Sequence, residues 1–363
     1  MTRRACSSWS NPNEPGISIR FGTREKERVV FREGYRDACN SQRRNRQKMT
    51  GSRSGKGRRR DGAYVPETDG MKTESERTNC SSGKGENMNT LKERTHQTRC
   101  GTIFYWADVV NPDAYTLVFL PGLTADHRLF DRQIEYFEGK YNVLVWDAPA
   151  HASSWPFRFD FNLFDQAKWL NEILSRENIC RPVIVGQSMG GYVGQVYAQL
   201  FPDKLAGFIS IDSAPLAKKY VTAVERWLLK KMEPVYAHYP WKALLKAGTE
   251  GVATSAYGRR LMREMMLVYD GDQKRYARIA GHGYRILADA MERDLPYEIR
   301  CPALLLCGSQ DHAGSCIRYN KKWHKNTQLP LVWIEDAGHN ANTDKPEEIN
   351  RLIENFLINL RPI

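Results

Sequence analysis

Residues 183–200 read VIVGQSMGGYVGQVYAQL, and this stretch decides the fold. Its first three residues are apolar and β-branched, which is typical of a buried strand, and the apolar spacing from Tyr192 onward predicts a helix. Between them, Gly186, Ser188 and Gly190 form a G-x-S-x-G pattern. Glycines on both sides allow a very tight turn that lifts the serine Oγ above the edge of a sheet. The stretch therefore predicts a strand, a nucleophile elbow and a helix, with Ser188 as the nucleophile.

Short apolar runs alternate with amphipathic stretches from about residue 100 to the C-terminus. Helical periodicity covers residues 164–174, 191–200 and 347–360. Seven runs predict strands: 103–110, 115–120, 142–146, 182–185, 205–211, 303–307 and 331–334. Alternation of this kind predicts an α/β fold with a doubly wound, mostly parallel sheet.

One long stretch, residues 217–295, interrupts the alternation because it has helical spacing and no convincing strand. We interpret it as a helical lid inserted between two core strands. Its large apolar side chains predict a wall for a substrate pocket, and we name Trp227, Trp241, Met262 and Met266 as candidate binding residues. The alternative is that these side chains pack the lid onto the core.

A nucleophilic serine needs a histidine base, and the base needs an acid that orients it. Asp311 follows the run 303–307, and His339 follows the run 331–334. Both therefore leave predicted strands at their C-terminal ends, where open α/β sheets carry their active sites. The order serine, acid, histidine predicts Ser188, Asp311 and His339 as the catalytic residues.

Three neighbouring residues are rivals for these roles. Asp336 and Glu335 also follow the last predicted strand, although turn chemistry accounts for Asp336. His312 adjoins Asp311 and could be taken as the base. An acid and a base next to each other in sequence would point in different directions, so we favour His339.

An oxyanion intermediate needs two N–H donors, one from the residue after the nucleophile and one from a loop after an early strand. Met189 takes the first position. Pro121 and Gly122 end the run 115–120, which makes Leu123 the candidate for the second. The alternative is that Pro121 and Gly122 form an ordinary turn.

The basic charge of the chain is concentrated at its N-terminus. Residues 1–87 hold 20 Lys and Arg against 11 Asp and Glu, so +9 of the formal net charge of +12 lies there. The segment has too few apolar residues to form a core, and we predict a disordered leader or an upstream stretch outside the natural start. The predicted domains are thus the leader, a core of residues 88–216 and 296–363, and the lid, 217–295.

Composition also bears on partners and location. The basic run 53–60 could contact phosphates, but it lacks interleaved aromatic residues, so we expect no nucleic-acid partner. No stretch reaches the roughly 18 apolar residues of a membrane span, and no apolar segment follows the basic N-terminus. Eight cysteines without a C-x-x-C pair predict free thiols. We expect a cytoplasmic protein.

Taken together, the motifs resemble those of the α/β-hydrolase superfamily over about residues 103–360. The stretch 121–123 is similar to its H-G oxyanion motif, with proline in place of histidine. Residues 147–152 resemble its D-x-P-G-H-G segment, with alanine in place of both glycines. Residues 188–191 are similar to the S-M-G-G elbow of its esterases, lactonases and acylglycerol lipases, and residues 338–340 to its histidine loop.

The resemblance implies hydrolysis of a small-molecule ester or related acyl compound without a cofactor or a metal. In that chemistry Ser188 attacks the carbonyl, His339 transfers the proton, Asp311 orients the histidine, and water resolves the acyl-enzyme. His151 would then be a structural loop residue. Lactonase, thioesterase and acyltransferase chemistry remain open, as does a ligand receptor that keeps the same triad, because fold and triad do not fix the substrate.

Overall fold

The structure, a computed structural model, describes residues 91–109 and 114–360. The predicted leader, residues 1–87, lies outside the described residues, as does its basic run 53–60. In the described part of the chain, no helix has both the length and the apolar character needed to cross a bilayer.

A single eight-stranded sheet organises the described residues. Its strands are β1 (Lys92–Gln97), β2 (Thr102–Asp108), β3 (Thr116–Leu120), β4 (Asn142–Trp146), β5 (Val183–Gln187), β6 (Gly207–Ile211), β7 (Ala303–Gly308) and β8 (Leu331–Ile334). They lie in the order β1-β2-β4-β3-β5-β6-β7-β8. The β1–β2 and β2–β4 pairs are antiparallel, and the other neighbouring pairs are parallel. The predicted fold class, an α/β protein with a mostly parallel sheet, is confirmed.

Helices cover the sheet, and several of them form the longest connection in sequence between two strands. They are α1 (Asp131–Phe137), α2 (Leu163–Arg176), α3 (Met189–Leu200), α4 (Ala223–Leu229), α5 (Met232–His238), α6 (Trp241–Glu250), α7 (Ala256–Leu267), α8 (Gln273–Glu292), α9 (Cys316–Thr327), α10 (Ala341–Asp344) and α11 (Pro346–Asn359). Five of them, α4 to α8, lie between β6 and β7, where the sequence predicts a helical insertion.

The seven predicted strands correspond to β2 through β8, and β1 is the strand that the prediction lacks. Its sequence, KERTHQ, has no apolar alternation, and only His96 of its six residues is buried. Among the described strands it pairs with β2 alone, at the edge of the sheet. Charged side chains are common on such edges because they discourage pairing with other chains.

The central strands are apolar on both sides because helices cover both faces of the sheet. Val118 of β3 and Ile184 of β5 belong to one buried core, which includes apolar residues of α2 and α3. Phe119 and Val185, the next residues along the same strands, belong to the core on the opposite face, with apolar residues of α1 and α11. Successive residues thus point to opposite layers, which fixes the register of the strands.

The loop after β4 contains a buried aspartate and two alanines whose backbone conformation favours glycine. Asp147 is fully buried, and its carboxylate accepts hydrogen bonds from the backbone N–H groups of His127, at 2.8 Å, and Ser153, at 3.0 Å. Ala150 and Ala152 have φ values of +73° and +37°. This left-handed region costs an L-residue about 1–2 kcal/mol, whereas glycine adopts it freely. The two alanines therefore store backbone strain.

We predict that Ala152→Gly raises the free energy of unfolding by about 1 kcal/mol, because it relieves a left-handed alanine that is only half-buried. The matched control is Ala198→Gly within helix α3, where glycine should lower that free energy by about 1 kcal/mol. Urea denaturation of both variants measures the change in the free energy of unfolding, which should have opposite signs in the two. A loss of stability in both would contradict the strained backbone assigned to Ala152.

Candidate active site

Ser188 lies in a strained turn between β5 and α3, with φ +47° and ψ −112°. The flanking glycines are required by contact distances. A Cβ on Gly186 would lie 2.5 Å from the backbone of Gly190, and one on Gly190 would lie 1.9 Å from the carbonyl oxygen of Leu120. The N–H of Ser188 donates to the carbonyl of Ile211 at 2.9 Å, which attaches the turn to the end of β6.

A chain of hydrogen bonds joins the three predicted catalytic side chains. The Oγ of Ser188 lies 2.8 Å from Nε2 of His339, and Nδ1 of His339 lies 3.0 Å from Oδ2 of Asp311. The other oxygen of Asp311 accepts the N–H of Ala313 at 2.8 Å. A carboxylate can only accept here, so Nδ1 of the histidine carries the proton and Nε2 accepts from the serine hydroxyl. In this tautomer His339 can take a proton from Ser188.

Burial and nearby charge have opposite effects on the pKa values of His339 and Asp311. Burial alone would lower the pKa of His339, but the carboxylate of Asp311, with a smaller effect from Asp212, raises it above its usual value. Burial would raise the pKa of Asp311, whereas His339 and hydrogen bonds hold it below its usual value. Asp311 is therefore ionised and favours a positive charge on the histidine ring.

Two buried residues that the sequence analysis missed connect the loops around this chain. The side-chain amide of Gln187 donates to the carbonyl of His339 at 2.8 Å. The carboxylate of Asp212 accepts the N–H of Gly308 at 2.7 Å and that of Ala341 at 2.9 Å. Burial, followed by repulsion from Asp311, raises the pKa of Asp212 well above its usual value. An aspartate directly after β6, at the same sheet edge, was the available signal.

The rival residues lie in other surroundings. The side chain of Asp336 is 75% exposed and has Lys345 as its ion-pair partner at 3.9 Å. Its φ of +58° agrees with the turn role that the sequence suggests. Glu335 and His312 are exposed.

The two candidate oxyanion donors lie beside the elbow. Leu123 and Met189 line the same cavity. The loop after β3 packs directly on the nucleophile, since a Cβ on Gly122 would lie 3.2 Å from the Cβ of Ser188. The donor roles of Leu123 and Met189 remain a prediction.

The cavity is narrow, with a volume of about 20 Å³. The β3 loop, the loop after β4 and the start of α3 form one side, and α8 of the helical insertion forms another. Besides Leu123 and Met189, residues that line it include Phe159, Phe161, His151 and His282. The helical insertion therefore does contribute to the cavity, through α8.

The four candidate binding residues of the insertion lie elsewhere, and none belongs to the described lining of the cavity. Trp227 is 58% exposed on α4. Trp241 packs edge-on against Tyr276, with ring centroids 5.6 Å apart. Met262 and Met266 are buried in two apolar clusters. Trp241, Met262 and Met266 thus pack within the insertion or onto the core, whereas Trp227 does not. The binding roles of the four residues remain a prediction.

One cluster has the chemistry of a metal site. The side-chain ligand atoms of Cys307, Asp311 and Cys316 lie within 4.8 Å of one another, and all three residues are buried. The carboxylate of Asp311 already accepts a hydrogen bond from His339, so an ion at this position would compete with the histidine. Both cysteines are free thiols, as predicted.

Comparisons with known proteins agree with the fold. A family model described as "alpha/beta hydrolase fold" matches residues 115–346. The chain is 23% identical over 247 residues to (E)-2-((N-methylformamido)methylene)succinate hydrolase of Acinetobacter baylyi, covering 66% of this chain and 89% of that protein. It is 23% identical over 250 residues to 3-oxoadipate enol-lactonase 2 of the same organism, covering 67% and 88%.

Among solved structures, the chain is similar to a thermophilic esterase from Thermogutta terrifontis, with a TM-score of 0.61 and 20% identity. The match covers 74% of this chain and 98% of that one. A hydrolase from Pseudomonas aeruginosa gives the same TM-score at 16% identity, with coverage of 75% and 99%. At these identities the likeness concerns the fold.

We predict that Asp212→Asn lowers the free energy of unfolding by about 1–3 kcal/mol. An amide has one acceptor oxygen, so it cannot accept both the Gly308 and the Ala341 N–H groups, and its NH₂ would face one of them. The matched control is Asp270→Asn, at an exposed position, which should change the free energy by less than about 0.5 kcal/mol. Chemical denaturation measures both, and equal effects would contradict the bridging role of Asp212.

Proposed function

The chain belongs to the α/β-hydrolase family, and on that premise we propose that it is a serine hydrolase that cleaves a carboxylic ester or a related acyl bond. The observation that carries the proposal is the hydrogen-bonded chain from Ser188 through His339 to Asp311. In it, a nucleophile, a base and an orienting acid lie within direct hydrogen-bond reach of one another.

In the proposed mechanism, Nε2 of His339 takes the proton of Ser188 as Oγ attacks the acyl carbonyl. The positive charge that forms on the ring is stabilised by the buried carboxylate of Asp311. The backbone N–H groups of Leu123 and Met189 would hold the developing oxyanion. His339 then donates its proton to the leaving group. In the second half of the reaction, His339 takes a proton from water as the water attacks the acyl-enzyme, and it returns that proton to Oγ of Ser188 as the acid is released.

The proposed domain organisation is a core of residues 88–216 and 296–363 with a lid of residues 217–295. Support comes from α8, where Ile279, Gly283 and Ile286 line the cavity together with Met189 of the core. A lid in this position would exclude water from the reacting carbonyl and restrict the acyl groups that enter. The proposed partner is accordingly a small-molecule acyl compound.

Lactone hydrolysis is the second candidate, since one of the relatives is named an enol-lactonase. A lactone is a cyclic ester, so the same attack by Ser188 and proton transfer by His339 would open it. Turnover of open-chain against cyclic esters of equal carbon number separates the two candidates.

We predict that Ser188→Ala lowers kcat/KM for p-nitrophenyl butanoate by about 10⁴-fold or more, because the substitution removes the nucleophile. Ser175→Ala, at an exposed serine of α2, is the matched control and should retain the activity of the unmodified protein. Release of p-nitrophenol measures both variants. Comparable activity in the two variants would eliminate Ser188 as the nucleophile.

We further predict an acid limb in the pH dependence of kcat/KM with a midpoint above pH 6.5, the ordinary pKa of histidine. Only neutral His339 can accept the serine proton, so activity falls as the pH drops through its raised pKa. Asp311→Asn removes the charge that raises this pKa, and the midpoint should then move to lower pH with a large fall in rate.

The control for the pH profile is Asp336→Asn, which removes the exposed rival carboxylate. Its midpoint should match that of the unmodified protein. A shift in Asp336→Asn but not in Asp311→Asn would assign the orienting acid to Asp336.

A further inference from the structure

Two buried histidines line the cavity beside the nucleophile, and the catalytic proposal uses neither. His151 is 7% exposed and His282 is 4% exposed. They come from different parts of the fold, the loop after β4 and helix α8. Within the described residues, the Nε2 atom of each ring has no hydrogen-bond partner. Buried polar atoms are normally hydrogen-bonded, so this pair calls for an explanation.

The partners at Nδ1 assign the tautomer of each ring. Nδ1 of His151 lies 3.0 Å from the carbonyl oxygen of Pro149, which can only accept, so Nδ1 carries the proton and Nε2 is an acceptor. Nδ1 of His282 lies 2.9 Å from a guanidinium nitrogen of Arg285, which can only donate, so its proton is on Nε2. The two rings therefore contribute one acceptor and one donor, beside the indole N–H of Trp146, unpartnered among the described residues, and the side-chain amide of Gln166, two other residues that line the cavity.

Both rings are uncharged at neutral pH. Burial, the Arg285 guanidinium and His151 lower the pKa of His282 to about 3. Burial likewise lowers the pKa of His151. Among the described residues that line the cavity, no Lys, Arg, Asp or Glu is present. A carboxylate on the substrate would thus find no counter-charge there, and its desolvation would oppose binding.

The positions of the two rings are fixed before any ligand enters. The ring of His282 packs edge-on against Phe159 and Phe161, with centroids 5.1 Å and 4.5 Å apart. His151 is held by Pro149 within its own loop. A cavity of about 20 Å³ has room for a group the size of one water. A hydroxyl has this size and is both a donor and an acceptor.

We propose that this cavity recognises a hydroxyl group on an uncharged acyl substrate. The hydroxyl donates to Nε2 of His151 and accepts from Nε2–H of His282, and the carbon chain extends from the hydroxyl out of the cavity toward Ser188. The inference rests on the proposed function, because it assigns the hydroxyl to the acyl part of the substrate that Ser188 attacks. It narrows the substrate class to uncharged hydroxyacyl esters or lactones.

The test separates binding from catalysis by using ligands that are not turned over. Isothermal titration of the Ser188→Ala protein compares each enantiomer of 3-hydroxybutanamide with butanamide. We expect one hydroxylated enantiomer to bind about 10-fold more tightly or better, since it pairs two buried polar atoms that butanamide leaves unpaired.

Substitutions assign the effect to the two rings. In the same background, His282→Phe keeps the aromatic packing but removes the donor, and His151→Phe removes the acceptor, so each should bring the affinity ratio close to one. His238→Phe, at an exposed histidine of α5, is the matched control and should keep the ratio.

Equal affinity for the two amides, or no measurable binding of either, would overturn the inference and would mean that a resident water alone occupies the cavity. A ratio that survives both His151→Phe and His282→Phe would also overturn it. Failure of the proposed function has a different signature: the unmodified protein would then hydrolyse no ester or lactone, whatever the amides do.

Discussion

The left-handed backbone at Ser188 is the constraint on which the rest of the site depends. It exposes Oγ above the sheet edge, and it requires that nothing larger than glycine occupy positions 186 and 190. The turn also brings the N-terminus of α3 against the carbonyl of Leu120, at the end of β3. The nucleophile, the first turn of the helix and the loop after β3 are thus held in one geometry by backbone contacts.

The parallel strands place the other side chains of the site next to Ser188. Because β5, β6, β7 and β8 are parallel neighbours, their C-terminal ends meet at one edge, which brings residues far apart in sequence together. Buried polar groups then fix the loops: Gln187 bonds the histidine loop, and Asp212 bonds both the end of β7 and the start of α10. An aspartate buried in this way is stable only while both N–H donors remain in place. Loss of either donor would therefore leave a buried carboxylate oxygen without its hydrogen bond.

The strands and the candidate catalytic residues could be predicted where they follow a repeating pattern in the sequence. The seven apolar runs match β2 to β8, and the spacing of Ser188, Asp311 and His339 relative to strand ends anticipated side chains that do lie in contact. Strand β1 could not be found this way, because it lies at the edge and buries a single side chain, His96.

Most cavity residues, apart from Leu123 and Met189, escaped prediction for a related reason. An amphipathic helix shows which side chains are apolar, but not which of them face a particular neighbour. Trp227 and His282 lie on helices of the same insertion, yet the tryptophan is exposed and the histidine lines the cavity. The loop after β4 adds Phe159 and also His151, which lies between the left-handed Ala150 and Ala152. Such tertiary choices leave no periodic signal in the sequence.

The most direct test of the account is the location of a covalent adduct. The protein is treated with one equivalent of a fluorophosphonate, which reacts with serines that have been activated by a base, and intact mass and peptide mapping locate the label. The account predicts one adduct per chain, on the peptide that contains Ser188, with loss of ester hydrolysis in proportion to labelling. An adduct on another residue, or full activity after Ser188 is labelled, would contradict it.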